Sequence, residues 1–176
     1  MAKHEINNRT DNNPIIFAET IHAFSWNLIQ GLQKQMREYI PTIGSNWKER
    51  IDAVGGIKNQ EVIYSLGYPS ASEKEIYLHH DDVIRIMTFF LNNKKFQTKI
   101  KSAFPVIFID EYQDTNKDLA ASIIKNLIED ESGILIGFFG DHWQKIYGSN
   151  SCGLISATEG KIQEIGKNAN FRSEKY

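Results

Sequence analysis

Phe104-Pro105-Val106-Ile107-Phe108-Ile109 is an unbroken apolar, β-prone run that stops abruptly at two acids, Asp110-Glu111. A run that is apolar at every position leaves no face for solvent, so it predicts a central parallel strand covered on both sides. A helix is expected from about Asn116 to Glu129, with Leu119, Ile123, Leu127 and Ile128 on one stripe and Asp118 in the first turn, where the helix dipole favours an acid. A second apolar run, Ile134 to Phe139, then closes a β-α-β unit. Such a crossover is right-handed, and ligands of open α/β sheets sit beyond the carboxyl ends of the strands. Asp110, Glu111, Asp141 and Gln144 all fall at those ends.

Upstream, the opening Met1 to Asn13 is polar, and Pro14 to Ala18 is a short apolar run expected to be a buried strand. From Glu19 to about Tyr39, Phe24, Leu28, Leu32 and Met36 recur at helical spacing, with Thr20 placed as a cap and Pro41 beyond the end. Between Pro41 and Lys74 the pattern is broken by Gly44, Gly55-Gly56 and Gly67-Tyr68-Pro69-Ser70, which predicts an insertion of short helices and loops. Leu78 through Phe104 reads as two helices joined near Asn92-Asn93. Gly148 to Gly160 reads as a flexible loop, and Lys161 to Ile165 as a weak strand.

The 176 residues are enough for one ordinary domain, and a formal net charge of -2 gives no global basic footprint, so any contact with nucleic acid must be local. One cysteine, Cys152, excludes an internal disulfide framework and fits a reducing compartment. No apolar stretch approaches the roughly 18 to 20 residues that span a bilayer, and Met1 to Asn13 has no signal-peptide core, so a cytoplasmic protein with no membrane partner is expected.

Adjacent carboxylates beside a core are costly unless a cation compensates them, and a hydrated Mg²⁺ is the natural compensator because it takes one or two carboxylates plus substrate phosphates. Asp110 would hold the metal, and Glu111 would orient and deprotonate an attacking water. A bare Asp-Glu pair is more often a helix cap or a solvated strand end, so the neighbouring residues decide its meaning.

Asp110-Glu111-Tyr112-Gln113-Asp114-Thr115-Asn116 resembles motif II, the Walker B element, of the UvrD/Rep-type superfamily 1 DNA helicases. Gly140-Asp141-His142-Trp143-Gln144-Lys145-Ile146-Tyr147-Gly148 is similar to motif III, and Asn170-Phe171-Arg172-Ser173 to the start of motif IV. Thr20-Ile21-His22-Ala23-Phe24 resembles motif Ib, and His80-Asp81-Asp82-Val83 a segment that precedes motif II. Adjacent ligands point apart on a helix, so His79-His80 with Asp81-Asp82 is expected to be an ordinary helix start rather than a metal site.

The resemblance implies an α/β fold: a partial RecA-like P-loop NTPase domain, its parallel sheet flanked by helices, with a helical insertion. By that reading residues 1–13 are a flexible lead, 14–40 and 78–166 belong to RecA-like domain 1A, 41–77 form the insertion, and 167–176 lead towards domain 2A. It implies ATP and Mg²⁺ as cofactors and a parent enzyme that moves 3′-to-5′ on single-stranded DNA or on a duplex with a single-stranded tail. Asp110 and Glu111 take the metal, and Glu111, Gln144 and Arg172 the catalytic roles. Gln144 senses the terminal phosphate, Arg172 acts as an arginine finger, and Thr20, His22, Phe24 and Tyr147 contact DNA. The wording around His22 and Trp143 looks closer to bacterial stand-alone UvrD-like proteins, including helicase subunits of antiviral systems, than to the repair enzymes, which implies a nuclease or other defence subunit as partner.

The chain departs from the family pattern in three places. It has no Gly-x-x-x-x-Gly-Lys-Ser/Thr loop, since Gly55-Gly56-Ile57-Lys58 follows no expected strand and has the wrong spacing, and motifs V and VI are absent. An internal segment that does not turn over ATP alone is therefore expected. Ser149-Asn150 also stands where the family has a base-stacking aromatic and an arginine. Two rival readings are a non-catalytic DNA-binding or docking module and a metal-dependent nuclease built on Asp110, Glu111 and Asp114.

Overall fold

Thr20 starts the first helix of the computed structural model, its Oγ1 accepting a hydrogen bond from the Ala23 N–H at 3.3 Å. The structure describes residues 16–130, 133–144, 150–157 and 160–166, and its contacts divide the chain into two units, Met1–Asn93 and Lys94–Tyr176.

In the first unit, residues 16–20 have no regular secondary structure and Ile16 and Phe17 are exposed, so the strand expected there does not form within the described residues. The single long helix expected next is two: α1 (Ile21–Ile29) and α2 (Gln33–Tyr39). Gly31 between them is a poor helix former, and the chain turns there with Leu32 N donating to Ile29 O at 2.7 Å. Leu28, Ile29 and Met36 are buried.

After a 3₁₀ turn at Ile40–Thr42, α3 (Ser45–Ala53) ends at Gly55 and Gly56, whose φ values of 80° and 87° only glycine adopts without strain. Residues 41–77 are then not just helices and loops. β1 (Glu61–Tyr64), β2 (Ser70–Ala71) and β3 (Glu75–Leu78) form a small sheet in the order β1-β3-β2, with β1 parallel and β2 antiparallel to β3. Strands of four, two and four residues are too short to show a two-residue period. The open edge of β1 is closed by a side chain: Gln33 Nε2 donates to Val62 O at 3.0 Å and Gln33 Oε1 accepts from Val62 N at 2.8 Å.

The expected helix pair is present as α4 (His80–Phe90) and α5 (Lys94–Ala103). α4 buries Val83, Ile84, Ile86, Met87 and Phe90 and packs on α1. Its buried Asp82 is satisfied by Trp47 Nε1 at 2.8 Å and by the His79 N–H at 3.1 Å.

The second unit holds the β-α-β element. β4 (Val106–Ile109) pairs in parallel with β5 (Leu135–Phe138), from Val106↔Leu135 to Ile109↔Phe138. Between them Asn116 caps α6 (Lys117–Ile123), its Oδ1 accepting from Asp118 N and Leu119 N, and a π-helical stretch, Ile124–Glu129, follows. Leu119, Ile123 and Leu127 form the buried stripe.

Two expectations fail here. β4 is not covered on both faces: Val106 and Phe108 are exposed, as is Leu135 of β5. A continuous apolar run carries no period, so it cannot say how many faces are covered. The segment after residue 150 is not a free loop, because Ser151 is buried and bridges Asn116, and Cys152 N and Sγ donate to Thr115 O at 2.9 Å and Tyr112 O at 3.0 Å. Residues 163–166 have no regular secondary structure, so the strand expected over Lys161 to Ile165 is not seen.

Candidate active site

β4 delivers Asp110 and Glu111 to its carboxyl end, and β5 delivers Gly140, Asp141 and Gln144 to the equivalent end of the adjacent strand. The chain folds tightly at both places. Tyr112–Asp114 and His142–Gln144 are 3₁₀ turns, and the two turns pack against each other. Tyr112 N donates to Phe139 O at 3.1 Å and Phe139 N to Ile109 O at 2.8 Å, so the backbone pairing continues past the strand ends.

Glu111 has φ 49° and ψ 43°, the one described non-glycine residue with positive φ. That left-handed conformation costs a residue with a Cβ about 1–2 kcal/mol and is found where a side chain has to be aimed. Two hydrogen bonds hold it: Glu111 N donates to Asp110 Oδ1 at 3.1 Å, and Gln113 Nε2 donates to Glu111 Oε2 at 2.7 Å. Both carboxylates lie at the surface, so the desolvation cost that argued from sequence for a compensating cation does not arise. The exposed pair is open to one.

Gln113 is almost completely buried, and its Oε1 has no hydrogen-bond partner. The opposite amide orientation would set that oxygen against the Glu111 carboxylate, so the orphaned acceptor follows from the Glu111 contact. Gly140 makes room for it. With φ at 154°, a Cβ there would lie 2.2 Å from Gln113 Oε1 and 3.2 Å from Tyr112 N.

Asp141 shapes the second turn: Oδ1 accepts from Trp143 N at 2.9 Å and Oδ2 from Gln144 Nε2 at 3.1 Å. Gln144 is therefore aimed by Asp141 and remains exposed. Tyr112 packs edge-on to Phe138, and burial, followed by the nearby Cys152, pushes its phenol above the ordinary tyrosine range.

The structure brings together Asp110, Glu111 and Gln144. Thr20, His22 and Phe24 lie at the start of α1, in the other unit. Burial, with His80 next, holds the His22 imidazole below its usual pKa, and Asp81 opposes the shift. Tyr147 and Arg172 lie outside the described residues. Gln113 and Gly140 were not singled out by sequence reasoning, although Gly140 directly after an apolar strand was a visible sign of close backbone approach.

A family model described as the UvrD/REP helicase N-terminal domain matches residues 57–152, more than half of the chain, and spans both turns. The chain belongs to the UvrD/REP helicase family. Among curated proteins, the chain is similar to a probable DNA helicase II homolog of Mycoplasma capricolum, 32% identical over 124 residues, covering 67% of this chain and 17% of that protein. Gabija protein GajB of Bacillus cereus is 36% identical over 77 residues, covering 41% of this chain and 11% of that protein. The chain thus spans less than a fifth of the length of either relative. No solved structure matches it. None of the described helices is long and apolar enough to cross a membrane.

Proposed function

We propose that this chain carries the carboxylate side of the Mg²⁺–ATP site of a DNA helicase or translocase, in a RecA-like domain. The observation that carries the reading is the junction of the two turns: an exposed acid pair, one member held in left-handed geometry, beside an exposed glutamine fixed by its own aspartate. The donor set fits the group, because exposed carboxylates suit a hydrated Mg²⁺ that takes its other ligands from water and phosphate. Asp110 would hold the metal, which when bound neutralises charge on the phosphates. Glu111 orients the attacking water and accepts its proton, and the Gln113 contact fixes the carboxylate for that task. Gln144 reads the terminal phosphate through an amide that both donates and accepts.

Arg172 supplies transition-state charge, while Thr20, His22, Phe24 and Tyr147 contact single-stranded DNA, and movement is 3′-to-5′. The similarity to a Gabija protein supports a protein partner of the nuclease or defence-subunit kind. The chain has no phosphate-cradling loop of its own, so it is inactive alone and the activity belongs to a longer gene product.

The test is DNA-stimulated ATP hydrolysis by the intact gene product. Glu111→Gln keeps an acceptor for Gln113 and should fold normally, yet it should lower kcat at least 100-fold with ATP binding retained. An intact product without ATPase activity, or one that Glu111→Gln leaves at full rate, sinks the assignment. Mn²⁺-dependent DNA cutting lost in Asp110→Ala would move these acids to a nuclease.

A further inference from the structure

Three imidazoles and a carboxylate converge in the first unit, and of these the proposed function uses only His22, for DNA. His79 precedes α4 in extended conformation, with φ -84° and ψ 167°, and His80 is the helix's first residue. Neighbours inside a helix point apart, but a helix boundary falls between these two, and it brings their rings to 3.5 Å between centroids. The sequence expectation that they diverge is overturned for that reason. His79 Nδ1 is 3.9 Å from Asp81 Oδ2, and one ligand atom from each of His79, His80 and Asp81 lies within 4.8 Å of the others. From α1, His22 sets its ring edge-on to His80 at 5.3 Å, and α1 packs on α4.

We propose that His79, His80 and Asp81, with His22 beside His80 as a further imidazole, form a binding site for a borderline-soft divalent cation of the Zn²⁺, Co²⁺ or Ni²⁺ class. Two imidazoles and a carboxylate are the donor set such ions prefer, whereas Mg²⁺ and Ca²⁺ take oxygen ligands. Metal–ligand bonds of roughly 2.0–2.1 Å place tetrahedral donors about 3.4 Å apart. Side-chain rotation closes the gap from 4.8 Å, since the Asp81 side chain is 72% exposed and free to swing inward.

Two features oppose a cation. The start of α4 carries the positive end of the helix dipole, and Arg50 and Arg85 line the same shallow cleft as His79 and Asp81. Both exclude an ion held by charge alone. Neither excludes one held by coordinate bonds, because imidazole nitrogens donate lone pairs directly to the ion. The opposition therefore sharpens the choice of ion towards the imidazole-seeking metals.

The probe is Co²⁺, added to the full, tag-free chain with excess Mg²⁺ present to occupy the Asp110–Glu111 acids. A 1:1 visible d–d absorption band is expected, with paramagnetic broadening of the His22, His79 and His80 ring protons and not of His142. His80→Asn and Asp81→Asn should each weaken binding about tenfold or more. The proposal is overturned by the absence of a band, by equal broadening of His142, or by unchanged affinity in a folded His80→Asn variant. The broadening experiment needs no variant, so misfolding of one leaves the test intact.

Discussion

Gly140 governs how closely the two turns can approach. Its φ of 154° and the 2.2 Å gap between a built Cβ and Gln113 Oε1 leave no room for a side chain, and the buried Gln113 cannot swing away without releasing Glu111. Gly140→Ala is expected to destabilise the fold by about 1–3 kcal/mol in urea unfolding, since overpacking here moves backbone as well as side chain. Tyr112 supplies a pH signature. Its phenol is raised, mainly by burial, so below about pH 10 it is protonated in both folded and unfolded chains and no stability is lost. Above that the unfolded chain ionises first, and stability falls as pH rises towards the folded value. Melting temperature should therefore drop more steeply above pH 10 in the native chain than in Tyr112→Phe, and equal slopes would contradict the assignment.

Short elements are held by side chains as much as by ladders. β1 is the edge of a three-stranded sheet, and the Gln33 amide takes the place of a missing neighbour by exchanging both hydrogen bonds with Val62. Val62 is almost fully buried, so removing that amide strands a buried donor and acceptor. Gln33→Leu, close in size but unable to bond, should cost about 1–3 kcal/mol, read from thermal or urea melts. A change below a few tenths would mean that water replaces the amide. The same edge shows why sequence reading missed this sheet: what completes it is a glutamine on a helix 29 positions away in the chain.

For the molecule as a whole, the exposed side chains of β4 and β5 matter most. Val106, Phe108, Leu135 and Phe139 leave an apolar face open on the sheet that carries the acids. The chain should bind an apolar dye such as ANS through this face, and Phe108→Ser should lower that signal, with no change counting against the exposure. The parallel β-α-β unit, the helix break near Asn92-Asn93, the Thr20 cap and the placement of Asp110, Glu111 and Gln144 at strand ends were all legible in the sequence. Each depends on local chemistry or on a period that survives in one dimension. The left-handed Glu111, the buried Gln113 behind it, the Gln33 edge and the facing rings of His79 and His80 were not legible. Those features depend on which backbone segments meet, and contacts between distant residues leave no period along the chain that makes them.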